Sequence, residues 1–421
     1  MERKIIAQNG IPVYSYANSA QHSFFISLFL RAGSMYEDES ENGITHFFEH
    51  VAIRNINYLM GGELYATLDK YGLEFNASTY SEMVQFYITG ATANFSIAAD
   101  IISKLLLPVA LPKSEIDAER DRIRAEIREV DDKSSLATFA SSFVWEGTTL
   151  SSSITGTAGS VRRIGAKALE SFRRSAFTRD NVFLYVTGSV TDDDVARLAD
   201  LVGKMELGEG EAHRNIAPVP ATFGKRGVEV HLKGASFTKV RFTFDIDMSR
   251  VSVAELDLLY DQLLGGYNSD FFIELSERRG LFYDLGGSLE RYSNVGTFSF
   301  AYELKEAKLY EALEMTVEIL HRMKIETLPR DKFMCASYVD NAMMLYDDAR
   351  ELNFTFAYDN HIMGIGYADL GERRAAYSAI TPERIREIAS QIFVPSGLTV
   401  ALKGNKKRID TDRIKEIIRT L

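Results

Sequence analysis

Cysteine is almost missing from this chain: Cys335 is the single example in 421 residues, so no internal disulfide can form and a reducing compartment is the simpler expectation. Missing too is any uninterrupted apolar run of bilayer length. The opening stretch MERKIIAQNGIPVYSY passes straight into strand-like alternation, without the apolar core of a signal peptide. These absences predict a cytoplasmic protein that makes no use of a membrane. Positive charge is also in deficit: the formal net charge is −11 and no basic run is visible, which argues against nucleic acid as partner and suits basic or neutral peptides. What is present is ordinary for a globular protein, 46% hydrophobic and 25% charged residues, enough apolar material for real cores. A chain of 421 residues exceeds what one core usually supports, so two or more domains are expected.

A faint internal repeat gives those domains their outline. NGIPVYSY followed by SFFISLFLRAG (Asn9 to Tyr16, Ser23 to Gly33) parallels RGVEVHLK followed by FTKVRFTFDID (Arg226 to Lys233, Phe237 to Asp247). Each half also closes on a strand, DNVFLYVTGSV in one and SGLTVALKGN in the other, both roughly 170 residues after the opening glycine, Gly10 or Gly227. Between them lie strands such as FNASTYSEMVQFYITGA and GTFSFAYEL and amphipathic helices such as FSIAADIISKLLLPVA and LYEALEMTVEILHRM. The mixed order predicts an α+β fold of two structurally similar halves, each a mostly antiparallel sheet packed with helices, joined by a linker in a clamshell. The Gly- and Pro-bearing stretch without periodicity places that linker at 207–226, between halves spanning 1–206 and 227–421.

The chemistry is concentrated in ITHFFEHVAI. If its apolar Ile44, Phe47, Phe48 and Val51 mark a helix, then His46, Glu49 and His50 fall at i, i+3 and i+4 on one face. Two imidazoles one turn apart can hold one zinc ion, and the carboxylate between them is placed to take a proton from a water at the ion's open position. Two histidines are an incomplete zinc site, so a third ligand must come from elsewhere. In PKSEIDAERDRIRAEIREV the stripe Ile116, Ile123, Ile127 and Val130 leaves Glu119 and Glu126 together at one edge, within roughly 40° of the buried face. Carboxylates at such a margin need a partner, and a cation would serve. The same residues have plainer readings: histidines satisfied within a core, and a charged helix whose Arg and Glu pair in solvent.

His-x-x-Glu-His is the thermolysin-type motif in reversed order, and the chain resembles, over nearly its whole length, the pitrilysin family of zinc peptidases. The resemblance is to the branch of similar length that includes the mitochondrial processing peptidases and many bacterial enzymes. In that family the third ligand is a glutamate 76 residues past the second histidine, with another functional glutamate seven before it; here those positions are Glu126 and Glu119. The resemblance therefore implies one zinc per chain held by His46, His50 and Glu126, Glu49 as the base, and Glu119 as a residue that orients a ligand or assists metal loading. FNASTYSEMVQFY is similar to the family's Asn-Ala-x-Thr-x-x-Glu strand, which makes Asn76 and Ala77 candidates for holding substrate backbone by strand addition, with Glu82 completing the motif. LLGGYNSDFFIELSERRGLFYDLG resembles the second half's glycine turn and helix, where an Arg and a Tyr seven residues later reach an active site. Tyr283 fills the tyrosine position, but counting back seven gives Ser276. On a helix Arg278 and Arg279 point roughly 200° and 300° away from it.

The implied activity is a metalloendopeptidase acting on short or unfolded peptides. The implied assembly is a homodimer, or a heterodimer with a homologous subunit that supplies the Arg/Tyr pair, as in a two-subunit processing or leader peptidase. The alternative is a non-catalytic scaffold or assembly subunit of the same family.

Overall fold

In the computed structural model the described residues are 1–133, 135–265, 268–328 and 348–421, with the backbone alone at 130–133 and 283. Cys335 and the side chains of Val130 and Tyr283 lie outside that description. The chain divides into two compact units, each an α+β layer structure.

The sheet of the first unit runs β1 (Arg3–Ile6), β2 (Pro12–Ala17), β6 (Val182–Gly188), β3 (Ser23–Leu30), β5 (Val84–Ala91), β4 (Glu74–Thr79). The sheet of the second runs β7 (Glu229–Gly234), β11 (Leu398–Gly404), β8 (Thr238–Asp247), β10 (Val295–Leu304), β9 (Phe282–Arg291). Without β1 the two orders are the same permutation. In both, the first strand pairs in parallel with the last and the other pairings are antiparallel. The repeat read from sequence is thus a repeat of topology. The stretch FNASTYSEMVQFYITGA folds as a hairpin of β4 and β5, paired from Glu74↔Thr89 to Thr79↔Val84.

Neither unit is continuous in sequence. The first takes residues 1–133, 152–215 and the described part of 342–370; the second takes the rest. Strand β3 explains why. Phe24, Ile26, Leu28 and Leu30 face the main core of the first unit with Val182, Leu184 and Val186 of β6. Phe29, with Phe183 and Tyr185 of β6, faces a second apolar cluster supplied by Leu352, Phe356, Ala357, Tyr358 and Ile362. Both faces of the strand are covered, so it is apolar at nearly every position where a half-solvated strand would alternate. The covering segment, a helix Ala349–Phe356 running into a π-helical turn Ala357–Ile362, comes from late in the chain. It is pinned by Asn353: Ser27 Oγ donates to its Oδ1 at 2.7 Å, and its Nδ2 donates to the carbonyls of Tyr185 (2.9 Å) and Phe25 (3.2 Å). The reciprocal insertion, helix Leu136–Val144, packs in the second unit, where Leu136 and Ala140 meet Ala401 of β11.

In the first unit the main core also takes α1 (Ile44–Leu59), α2 (Leu64–Tyr71), α3 (Phe95–Ser103) and α4 (Lys113–Lys133). Ile116, Ile123 and Ile127 of α4 are buried as their spacing predicts, each contributing about 1.5–3 kcal/mol of burial. The stretch between helix Asp192–Gly203 and β7 carries no helix or strand. No described helix is long and apolar enough to cross a membrane.

Candidate metal centre

The metal motif occupies the first two turns of α1. Phe47, Phe48 and Val51 are buried in the core, which turns His46, Glu49 and His50 onto the opposite, polar side. The start of this helix is fixed by a residue that sequence reading passed over. The buried carboxylate of Glu37 accepts from the backbone N–H of Gly43 (2.8 Å) and Thr45 (2.9 Å) and from Asn42 Nδ2 (3.1 Å). A carboxylate here satisfies orphan donors of the first turn and complements the positive end of the helix dipole. Gly43 itself has φ 91°, and a Cβ on it would sit 2.8 Å from Gly156 Cα and the Thr155 carbonyl oxygen, so only glycine fits.

Helix α4 brings the two glutamates to this face. Glu126 Oε1 lies 3.7 Å from His46 Nε2, and Glu126 Oε2 lies 3.7 Å from His50 Nε2. One donor atom from each of the three residues falls within 4.8 Å of the others. These separations are too long for hydrogen bonds. The two 3.7 Å separations between Glu126 and the imidazoles are close to the roughly 3.4 Å expected between neighbouring ligands of a tetrahedral ion held at about 2.1 Å. Two imidazoles and a carboxylate form a donor set suited to zinc, so the residues fit the ion that the motif implies.

Around these donors the polar groups are connected. Glu119, almost fully buried, places Oε2 3.3 Å from His50 Nδ1 and Oε1 2.5 Å from Arg54 Nη1, with Arg122 at 3.6 Å. Burial works to raise its pKa, but His50, Arg122 and Arg54 together outweigh burial and hold it below the usual carboxylate range. Arg54 in turn donates from Nε to Glu115 Oε2 at 2.6 Å. Burial, with His50 second, depresses His46 to about 4, so it is the neutral, ligating form at ordinary pH; its Nδ1 is buried without a hydrogen-bond partner. Glu49 receives a hydrogen bond on Oε2 from Thr79 Oγ1 at the end of β4. Its pKa is raised, chiefly by burial and further by the charge of Glu126, against the lowering effect of Thr79 and His50.

The sequence-derived residues therefore divide. His46, His50, Glu126, Glu49 and Glu119 come together. Asn76 and Ala77 lie on β4, which is the terminal strand of its sheet, and Asn76 Oδ1 accepts from the N–H of Ala77 at 2.8 Å. Glu82 accepts from Tyr358 OH at 3.0 Å and so belongs to the seat of the exchanged segment. In the second unit Ser276 lies in a π-helical turn, Phe272–Glu277, where a regular helix was expected. The nearby arginines are engaged within that unit, Arg278 with Glu274 at 2.8 Å and Arg279 with Glu311 at 3.7 Å. Arg54, Thr79 and Glu37 were missed by sequence reading. The first two carried a signal, Arg54 standing four residues past His50 and Thr79 inside the Asn-Ala-x-Thr pattern.

Residues 13–158 match the family model described as insulinase (peptidase family M16), and residues 163–334 match that of the peptidase M16 inactive domain. An uncharacterized zinc protease of Rickettsia bellii is 25% identical over 397 residues, covering 91% of this chain and 90% of that protein. The mitochondrial-processing peptidase subunit beta of Caenorhabditis elegans is 24% identical over 410 residues, covering 92% and 86%. A protease from Helicobacter pylori superposes with a TM-score of 0.83 at 17% identity, covering 96% and 99%. The periplasmic protease PqqL from Escherichia coli superposes at 0.80 and 17%, covering all of this chain and 50% of that one.

Proposed function

The chain belongs to the M16, or insulinase, family of zinc peptidases, and from that premise we propose that it is a zinc-dependent endopeptidase hydrolysing short or unfolded peptides. The observation that carries the reading is the convergence of His46, His50 and Glu126, with one donor atom from each within 4.8 Å of the others and Glu126 3.7 Å from both imidazoles. His46, His50 and Glu126 would hold one zinc ion. Zinc in such a site supplies Lewis acidity to the scissile carbonyl and to the attacking water.

The protein's own groups do the rest. Thr79 fixes one oxygen of Glu49, leaving Oε1 to take the proton from water and pass it to the leaving amine. Burial of Glu49 raises its basicity toward that task. Glu119 holds the Nδ1 side of His50 and so sets the direction of the opposite nitrogen. The unpaired side of β4, beside Asn76 and Ala77, suits an extended peptide that adds as a further strand.

Ser276 in place of an arginine supports work with a homologous subunit that contributes an Arg/Tyr pair, with Tyr283 as this chain's own remaining half of that pair. The same departure favours a second reading, a scaffold subunit without turnover. A quenched fluorescent peptide, incubated with the purified chain with and without chelator and with and without a homologous partner, separates them. Chelator-sensitive cleavage that Glu49→Gln abolishes while zinc content stays at one per chain is the expected result. Absence of cleavage in every combination would leave the scaffold.

A further inference from the structure

Strand β4 must be placed more precisely than its own packing ensures. It is the terminal strand of its sheet, hydrogen-bonded along β5, and none of its residues is fully buried. Yet its Thr79 holds an oxygen of Glu49, and its free side is the proposed line of an added peptide. Side chains alternate along a strand, so Phe75, Ala77 and Thr79 point toward the main core and α1. Glu74, Asn76 and Ser78 point the other way, toward the face that the exchanged segment Ala349–Ile362 covers.

That segment meets β4 and the turn after it at three places. Arg350 Nη2 donates to Glu74 Oε1 at 2.8 Å, an oxygen that also accepts from Tyr87 OH at 3.1 Å, and the guanidinium lies over the rings of Tyr87 (5.0 Å) and Phe25 (5.5 Å). One turn on, the Phe354 ring is 5.9 Å from that of Tyr80, the residue after Thr79. A further turn on, Tyr358 OH donates to Glu82 Oε1 at 3.0 Å, with both residues buried. Spacings of four keep these three residues on one side of the helix, and the Phe354 and Tyr358 rings stack at 5.8 Å. The contacts fall at the start of β4 and just past its end, so they bracket the strand. They are unequal. The Arg350–Glu74 pair is half exposed and holds weakly, whereas the Tyr358 bond to a buried carboxylate is the stronger anchor.

Resting on the peptidase reading, we propose that Tyr358 and Arg350 are positioning residues for peptide hydrolysis, and that the exchanged segment is a brace that sets β4 from the face opposite α1. Tyr358, through Glu82 and the turn, keeps Thr79 where it directs Glu49. Arg350, through Glu74, holds the start of the strand along which the substrate backbone lies. The two ends therefore have different consequences. Loosening the Tyr358 end misplaces the base and lowers kcat; loosening the Arg350 end weakens addition of the peptide strand and raises KM.

The test uses the full chain loaded with zinc and a quenched fluorescent peptide. Tyr358→Phe keeps the ring and removes one O–H; kcat is expected to fall about three- to tenfold with KM little changed. In a Thr79→Val background the same substitution is expected to cost nothing further, because the path through Thr79 is already cut. Arg350→Ala, at the exposed end, is expected to raise KM about two- to fivefold with a smaller change in kcat. Zinc content and circular dichroism confirm that the variants are intact, and a general loosening of the fold would produce neither the split between KM and kcat nor the dependence on Thr79. Parent-like kinetics in either single variant, or losses that multiply in the double variant, overturns the brace and leaves the peptidase reading standing. A parent without chelator-sensitive cleavage overturns both.

Discussion

Replacing Glu119 by glutamine removes one negative charge while keeping the shape of a side chain that is 3% exposed. In the parent its carboxylate meets His50 Nδ1 at 3.3 Å and Arg54 Nη1 at 2.5 Å. Glutamine can still accept from His50 Nδ1–H, but the charge that makes the opposite nitrogen a stronger donor to a metal is gone. Loss of such a partner behind a ligating imidazole costs 10–100-fold in metal affinity, about 1.4–2.8 kcal/mol. Arg54 keeps Glu115, and its own side chain is one-third exposed, so the fold should lose only about 1 kcal/mol. Zinc affinity is measured by competition with a chromogenic chelator, and the fold term by urea unfolding of the metal-free protein. The expected order is parent tightest, Glu119→Gln 10–100-fold weaker, and Glu126→Gln weaker still because it alters one of the three proposed ligands. Parent-like affinity in Glu119→Gln would mean that the 3.3 Å contact does not orient His50, and Glu119 would be reduced to a partner of Arg54.

Glu37→Ala strands the donors at the start of α1 and should cost about 2–4 kcal/mol in urea unfolding; a loss under 0.5 kcal/mol would show that water replaces the carboxylate freely. Thr79→Val releases Glu49 Oε2 and should lower kcat about tenfold at unchanged zinc content, so an unchanged kcat would deny Thr79 any part in placing the base. Asn353→Ala leaves two buried carbonyls and the Ser27 hydroxyl short of a partner and should cost about 2–4 kcal/mol, read as a fall in the unfolding midpoint. His46 gives a pH dependence: its folded pKa of about 4 lies below the value near 6.5 of an unfolded imidazole, so the unfolded chain binds the extra proton between those limits. Stability of the metal-free protein is then whole above pH 6.5 and should fall by on the order of 3 kcal/mol as pH drops to 4. His46→Gln should flatten that slope, and an identical slope in both proteins would remove His46 as its source.

Much of this site was written in local spacing. Histidines at i and i+4 share a helix face whatever the rest of the chain does, and three isoleucines at heptad-like intervals put Glu119 and Glu126 on one margin of α4. The topological repeat was legible for the same reason, since paired runs of strand-forming residues recur in order. The network around the ligands was not. Glu37, Thr79 and Arg54 are ordinary polar residues by composition, and their meaning comes from the groups they face across loops and elements. The side chain of Tyr283 and the stretch containing Cys335 lie outside the described residues.

The exchange of segments marks the boundary most clearly. The continuous apolar run SFFISLFL announces that both faces of β3 are covered, yet no local pattern says that the second cover is Leu352 to Ile362, more than 300 residues away. By itself the sequence determined periodicities: which residues share a face, which faces are apolar, and that the plan occurs twice. The tertiary structure alone decided that Glu126 meets both imidazoles while Glu119 turns to the far side of His50. Two carboxylates seven residues apart are nearly equivalent on their own helix, and only the packing of that helix against α1 makes their distances to a fixed nitrogen differ.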